Sequence, residues 1–154
     1  MTKTEFMLIG SRQRLNTLTA SPTIRMNNTQ VSQVRATKSL CVIIDDKLDW
    51  QSHIEKLTKK IASGIGALKR MRHLIPASTL HVHLIYQALV KPHFDYCGIV
   101  WGSCGKTLRV KLHKLKNRAA RVLTFSNYGA NAIKLLEFLG WKNLARTALT
   151  GNSF

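Results

Sequence analysis

Residues 51–70 read QSHIEKLTKKIASGIGALKR, and the spacing of their apolar side chains decides the fold. The apolar positions recur every three or four residues, at Ile54, Leu57, Ile61, Ile65 and Leu68. This is the period of an α-helix with one buried face, and Asp49 is suited to cap its N-terminus. The stretch therefore predicts a long amphipathic helix whose other faces carry lysine and arginine.

Three more helices are predicted on the C-terminal side of this stretch. The second begins near Pro76 and stops at Pro92, with an apolar face at Leu80, Leu84, Ile85, Leu89 and Val90. The third follows the turn Gly102–Gly105, with an apolar face at Leu108, Leu112, Leu115, Ala119 and Val122. The fourth covers about residues 130–139 and ends at Gly140-Trp141.

The N-terminal part of the sequence predicts short strands. Residues 4–9 and the continuous apolar run 39–44 are typical of strands, and Asn27-Asn28 forms a turn signal between residues 23–26 and 30–34. So small a sheet can hardly bury both of its faces alone. The fold class expected is α+β but mainly α, with a small antiparallel β region followed by a four-helix bundle.

The predicted division of the chain is residual strands in 1–48, a helical region in 49–146 and a divergent tail in 147–154. Charge follows this division. Residues 1–50 contain 7 Lys/Arg and 4 Asp/Glu, whereas residues 51–154 contain 17 and 3, within a total net charge of +17. Folding needs no such excess, because like charges repel, so the usual explanation is a polyanionic partner such as nucleic acid.

The three cysteines indicate the compartment. They are odd in number, widely spaced and without a CxxC pair, which argues against both a disulfide framework and a zinc module. The N-terminus has too short an apolar stretch for a signal peptide, and no segment approaches the roughly 20 apolar residues of a membrane span. We expect an intracellular protein, nuclear or cytoplasmic, that is neither secreted nor bound to a membrane.

Ile43-Ile44-Asp45-Asp46 resembles the aromatic-x-Asp-Asp signature of polymerases, but a complete centre is not expected. Two catalytic metal ions need carboxylates from two adjacent strands. Upstream of Asp45 the chain offers only Glu5, and Asp49 belongs to a helix start. We therefore expect Asp45, Asp46 and Asp49 to shape a turn and a helix N-terminus.

The other apparent motifs favour structural roles. Gly102–Thr107 lacks the first glycine of a phosphate-binding loop and is expected to be a turn between helices. His81 and His83 have no partners at metal-ligand spacing, and His53-x-Glu55 lacks the Pro-Cys-x-x-Cys half of the zinc deaminase signature. We therefore expect all three histidines at the surface or rim. No catalytic residue, metal site, cofactor or small-molecule substrate is predicted.

One cluster predicts a function by its physical chemistry. Seven cations and no acid occupy sixteen residues of the third helix: Lys106, Arg109, Lys111, Lys114, Lys116, Arg118 and Arg121. Most solvated helix faces mix charges of both signs, and this one does not. We therefore predict that these side chains contact phosphates of nucleic acid.

Several blocks of residues follow one another along the chain in a distinctive order: Lys3–Phe6, Leu40–Trp50 with His53-Ile54, Leu89–Pro92, Tyr96 with Gly98 and Val100–Gly102, and Leu112-x-x-Leu115-x-Asn117–Arg121. In this order they resemble the C-terminal palm and thumb of non-LTR (LINE, jockey-like) retrotransposon reverse transcriptases. The resemblance spans about residues 3–146. It implies that residues 1–48 are the last palm strands and that residues 50–140 form a thumb-like region gripping template and primer.

Departures from that family are also informative. The catalytic aspartates of the family lie upstream of the Lys-Thr block with which this chain begins, and Cys41 stands where the family typically has glycine. The sequence is therefore interpreted as a truncated remnant of an RNA-directed DNA polymerase that retains sequence-independent nucleic-acid binding. Three alternatives remain open: a free-standing helix-turn-helix-like DNA-binding protein, a non-functional retroelement-derived product, and a membrane-surface protein.

Overall fold

The computed structural model describes residues 4–17, 20, 22–74 and 79–141, without the side chains of Thr79 and Leu80. The chain divides into two compact units, Met1–His53 and Ile54–Phe154. The division falls in the first turn of the long helix that begins at Gln51. The predicted boundary at residue 48 lies shortly before it. The predicted tail 147–154 lies outside the described residues.

The N-terminal unit consists of short strands and one short helix. Its elements are β1 (Glu5–Phe6), α1 (Arg12–Thr17), β2 (Arg25–Met26), β3 (Thr29–Gln30), β4 (Ser32–Gln33), β5 (Ala36–Ser39) and β6 (Val42–Asp45). They form three two-stranded sheets: β2–β3 and β5–β6 are antiparallel, whereas β1–β4 is parallel. The prediction of antiparallel strands is therefore wrong for β1–β4. A parallel pair requires a crossover connection, and the segment containing α1 provides it.

Helix α1 was not predicted, because Leu15 is its only apolar residue and leaves no helical period to detect. Its start is marked by Ser11, whose Oγ accepts the backbone N–H of Arg14 at 3.3 Å. This is the hydrogen bond of an ordinary N-cap, which satisfies a helical N–H without a partner in the preceding turn.

The two hairpins are set by their turns. Asn27 and Asn28 have φ of 49° and 61° between β2 and β3, which confirms the predicted turn. Such left-handed pairs match the twist of the flanking strands. Leu40 and Cys41 have φ of 45° and 66° between β5 and β6, so the prediction of one buried strand over 39–44 is wrong. An apolar run does not reveal a turn when the turn itself is built from apolar residues.

The C-terminal unit is helical in its described part. Its helices are α2 (Gln51–Met71), α3 (Thr79–Leu89), α4 (Lys91–Asp95), α5 (Gly98–Trp101), α6 (Lys106–Leu123) and α7 (Ala132–Phe138). The mainly helical α+β class is confirmed. Four of these helices correspond to those predicted, and α4 and α5 are short additions between α3 and α6. Pro92 lies in the first turn of α4, where the missing N–H of proline costs nothing.

Helix α2 buries the predicted face. All five apolar residues at helical spacing are buried: Ile54, Leu57, Ile61, Ile65 and Leu68. Gly64 allows a close approach to the end of α3, because an added Cβ would lie 3.1 Å from Val90 Cγ2 and 3.2 Å from the Leu89 carbonyl oxygen. A small residue is therefore required where these two segments meet.

The buried face predicted for the second helix is only partly correct. Val90, which directly follows α3, is buried as predicted, and Ile85 is half-buried. Leu84 and Leu89 are exposed, and Val82 and Tyr86 are buried instead. This helix has apolar residues on every side, so the spacing of its apolar residues does not identify the buried face. The prediction for Leu84 and Leu89 is therefore wrong, and those for Pro76 and the Leu80 side chain lie outside the described residues.

Helix α6 buries the predicted face, and α7 ends where the sequence predicts. In α6, Leu112, Ala119 and Val122 are buried, and Leu108 and Leu115 are half-buried on the same side. Asn131 caps α7 by accepting the N–H of Ile133 at 3.0 Å. Gly140 has a φ of 66°, and the Trp141 N–H donates to the Leu136 carbonyl at 2.8 Å. This is a Schellman ending, and it confirms the predicted end of the fourth helix.

Candidate nucleic-acid interface

The candidate interface lies on α6, an 18-residue helix without an acidic residue. Four of the seven predicted cations are exposed: Lys106, Lys111, Lys114 and Arg118. Successive residues of a helix are about 100° apart, so positions i, i+3 and i+7 lie on one side. Lys111, Lys114 and Arg118 have this spacing. We call these three residues the cationic stripe. Lys106 is exposed nearer the N-terminus of α6, but it lies about 80° to 140° around the helix from the stripe residues.

The stripe is solvent-facing and carries uncompensated charge. None of its three side chains forms an ion pair with another residue in the described ranges. Like charges at i,i+3 and i,i+4 on a helix destabilise it by a few tenths of a kcal/mol per pair. An anion that binds to such a face stabilises it, because the repulsion between the like charges of the stripe is then relieved.

Arg109 is drawn into the turn that precedes α6. Its Nη2 donates to the Gly102 carbonyl oxygen at 3.1 Å, and the side chain is half-buried. Burial raises the pKa of the neighbouring Cys104 thiol, and the positive charge of Arg109 opposes this rise. Arg109 therefore has a structural partner, and it fixes the helix–helix turn that the sequence predicted at Gly102–Gly105.

Lys116 points away from the stripe. It lies two residues from both Lys114 and Arg118, which places it about 160° around the helix from each of them. Its burial lowers the pKa of the ammonium group, and the carboxylate of Asp95 in α4 opposes this change. The structure therefore does not bring Lys116 together with the stripe.

Arg121 serves the loop that follows α6. Its Nη2 donates to the Ala130 carbonyl at 3.4 Å, and its guanidinium carbon lies 5.3 Å from the centre of the Tyr128 ring. The seven-residue cluster is thus divided into four exposed cations and three that contact their own protein. Sequence analysis missed Tyr128, since only the structure shows that an arginine lies against it.

The aspartates that resemble a polymerase signature have a structural role in the N-terminal unit. The two carboxylate oxygens of Asp45 accept the backbone N–H groups of Asp49 and Trp50, each at 3.0 Å. Asp49 Oδ1 accepts the N–H of Gln51, the first residue of α2, at 2.9 Å. These bonds confirm the predicted turn and helix start, with Asp45 shaping the turn and Asp49 the helix N-terminus.

The histidines differ in their surroundings. His53 is buried, and its Nδ1 accepts the backbone N–H of Ile43 at 3.3 Å, so the prediction of a surface or rim position is wrong. Its side chain lies on the buried side of the first helical turn and supports β6. His81 is exposed, and the half-buried His83 contacts Gln87 through its Nε2 at 2.9 Å.

The described residues contain neither a metal centre nor a membrane-spanning helix. Over residues 4–17, 20, 22–74 and 79–141 no group of three or more His, Cys, Asp and Glu side chains is arranged to hold a metal ion. No helix in those ranges has both the length and the apolar character needed to cross a membrane. The chain matches no protein-family model, no curated protein and no solved structure.

Proposed function

We propose that this chain binds nucleic acid without sequence preference, through contacts between phosphates and the exposed cations of α6. The observation that carries the proposal is the cationic stripe, with Lys106, on a helix that lacks any acid. A chain with a net charge of +17 attracts polyanions over its whole surface. The stripe adds a place where several cations face the same direction.

The dimensions of the stripe suit a nucleic-acid backbone. A helix rises 1.5 Å per residue, so Lys111 and Arg118 are separated along the axis by about 10 Å, and Lys106 and Arg118 by about 18 Å. Phosphates of one strand follow each other at about 3.4 Å along a duplex axis. The stripe therefore extends over about three phosphates of one strand, and Lys106 adds a cation further along the helix axis.

The proposed ancestry is the thumb-like part of a non-LTR reverse transcriptase, with residues 1–48 as palm strands. In this proposal the chain has no polymerase centre of its own. The absence of a polymerase centre is supported by Asp45, whose two carboxylate oxygens both accept backbone N–H groups. Purified chain should give no primer extension with Mg²⁺ or Mn²⁺. Extension above background that is lost in Asp45→Asn would overturn this part of the proposal.

The binding proposal is tested by salt titration on duplex DNA. Four phosphate contacts predict a slope of log K against log salt of about −3.6, and replacing Lys111, Lys114 and Arg118 by Gln should reduce its magnitude by about 2 to 3. The matched control replaces Arg25, Arg35 and Lys38, which are exposed cations of the N-terminal unit, by Gln. It removes the same charge but should change the slope by less than about 1.

The outcomes separate the alternatives. If the α6 triple variant binds like the parent at every salt concentration, the stripe is only a solvated surface and the proposal fails. If both triple variants weaken binding equally, the attraction depends on net charge alone. A strong preference for one DNA sequence would favour the helix-turn-helix alternative, because phosphate contacts carry no sequence information directly.

A further inference from the structure

The loop between α6 and α7 exposes two aromatic rings that the cationic stripe does not use. Tyr128 is 90% exposed and Phe125 is 45% exposed. Each ring has a guanidinium group against it: Arg121 lies 5.3 Å from the centre of Tyr128, and Arg72 lies 5.3 Å from the centre of Phe125. Two exposed aromatic rings, each paired with an arginine, thus lie in one short loop.

The loop is held by hydrogen bonds at both ends. The Ser126 N–H donates to the Arg121 carbonyl at 3.1 Å, and the Ala130 N–H donates to the Asn127 carbonyl at 3.0 Å. The hydroxyls of Thr124 and Ser126 lie 2.9 Å apart, within hydrogen-bonding distance. These contacts fix the loop backbone that carries the rings, which reduces the entropy lost when the loop binds a ligand.

The two arginines are positioned by backbone carbonyls. Arg121 donates to the Ala130 carbonyl, and Arg72 Nη1 donates to the Val122 carbonyl at 3.5 Å. The Nε atoms of both arginines are buried without a hydrogen-bond partner among the described residues. Each guanidinium is thus placed by one carbonyl and one ring, at the end of α6 that follows Arg118.

We infer that this loop is a stacking platform for unpaired bases of single-stranded nucleic acid. Every base has a π face, so stacking on Tyr128 is independent of sequence, and arginine beside the ring adds a cation–π contribution. Arg118 precedes Arg121 by three residues, so a strand whose phosphates follow the stripe would bring its next bases to the loop. The inference rests on the proposed function and gives the same site a preference for single strands.

The test compares a single-stranded oligo(dT) with a blunt-ended duplex of mixed sequence at one salt concentration. Tyr128→Ala should weaken oligo(dT) binding by about 5-fold or more, since loss of a stacking aromatic commonly has this effect. Duplex binding should change by less than twofold, because paired bases remain stacked on one another. Tyr128→Phe should retain oligo(dT) binding, since the ring is kept.

The control is Phe138→Ala. Phe138 is 76% exposed on α7 but lies outside the loop, so removing it takes away an exposed ring without touching the platform. Because both replaced side chains face solvent, both variants are expected to fold, which circular dichroism verifies. Phe138→Ala should bind oligo(dT) like the parent.

The possible results distinguish the two proposals. If Tyr128→Ala binds oligo(dT) within twofold of the parent while the α6 triple Gln variant is weak, the platform inference is overturned and the stripe stands. If Tyr128→Ala and Phe138→Ala weaken binding equally, stacking at this loop is also overturned. If the α6 triple variant is unaffected on both probes, the proposed function itself fails.

Discussion

Each of the two units is stabilised by a different kind of internal contact. In the described part of the N-terminal unit, the buried side chains are Val42, Asp45, Trp50 and His53, and the two polar ones accept backbone N–H groups. In the C-terminal unit apolar side chains dominate, and Ile61, Ile65, Leu68 and Trp101 are almost fully buried. Burial of apolar area is the main source of stability, so the C-terminal unit should be the more stable one. The N-terminal unit depends on turns and polar contacts.

The largest effect is expected from Ile61→Ala in α2. Ile61 is fully buried, and truncation of such a side chain costs about 2–5 kcal/mol because a cavity remains. Urea unfolding followed by helical circular dichroism measures this loss. The matched change in the N-terminal unit, Val42→Ala, removes fewer carbons and should leave the helical transition within about 0.5 kcal/mol of the parent.

A result in the other direction would break the comparison between the units. If Val42→Ala lowers the midpoint of the helical transition as much as Ile61→Ala does, the two units unfold as one cooperative body. Their different contacts would then not correspond to different stabilities. If only Ile61→Ala lowers the midpoint of the helical transition, the difference in stability between the two units is supported.

Gly64→Ala tests how tightly the helical unit is packed. The new Cβ would lie 3.1 Å from Val90 Cγ2 and 3.2 Å from the Leu89 oxygen, and overpacking of this kind typically costs about 1–3 kcal/mol. Gly66→Ala is the control in the same helix, since its Cβ would meet only the flexible end of Arg70 at 3.8 Å. That change should stabilise the unit by about 0.5–1 kcal/mol, the usual gain from replacing a helical glycine. Equal effects of the two substitutions would contradict the close approach at Gly64.

The buried face of α2 was predictable from sequence, but that of α3 was not. In α2, polar residues separate Ile54, Leu57 and Ile61, so the period has one solution. In α3, Val82 and Leu84 are both apolar, and only packing decides that the first is buried and the second exposed. In the N-terminal unit the obstacle was local: Leu40 and Cys41 adopt a turn that asparagine or glycine usually forms.

The charge of the candidate site was predictable from sequence, but which of its cations contact the protein itself was not. The run of cations in α6 is visible in the sequence, and the spacing of Lys111, Lys114 and Arg118 already places them on one side. The partners of Arg109 and Arg121 are backbone carbonyls of Gly102 and Ala130, which no side-chain pattern encodes. Sequence therefore overestimates the number of cations that are free to meet a ligand.

Asp45→Asn tests the polar support of the N-terminal unit. An amide has one oxygen, so it can keep only one of the two backbone N–H bonds that the carboxylate accepts. The loss should be about 1.5 kcal/mol, the lower end of the usual range for a hydrogen bond to a charged group. Hydrogen exchange of the Asp49 and Trp50 amides should become about 10-fold faster. Amides of α6 serve as the internal control, and acceleration there as well would show that the effect is not confined to the N-terminal unit.

The smallest effect concerns pH and a polar group inside the helical unit. His113 on α6 is half-buried, and this burial lowers the pKa of its imidazole below the ordinary 6.5, with a smaller contribution from the charge of Lys116. The folded state thus binds fewer protons than the unfolded state between the two pKa values. The contribution of His113 to the free energy of unfolding should therefore be fully present above about pH 6.5. It should be lost as the pH drops from there through the folded-state pKa.

His113→Gln separates this contribution from the other titrating groups. Glutamine cannot gain a proton, so the decline attributable to His113 should disappear, and the curves of the variant and the parent should diverge only below about pH 6.5. Urea unfolding of both proteins between pH 5 and pH 8 measures the difference, with His81→Gln as the control because His81 is exposed on α3. If His113→Gln and the parent lose stability in parallel as the pH falls, protonation of His113 does not destabilise the folded state. The helical unit would then differ from the N-terminal unit even more sharply, as a core whose polar groups contribute little to its stability.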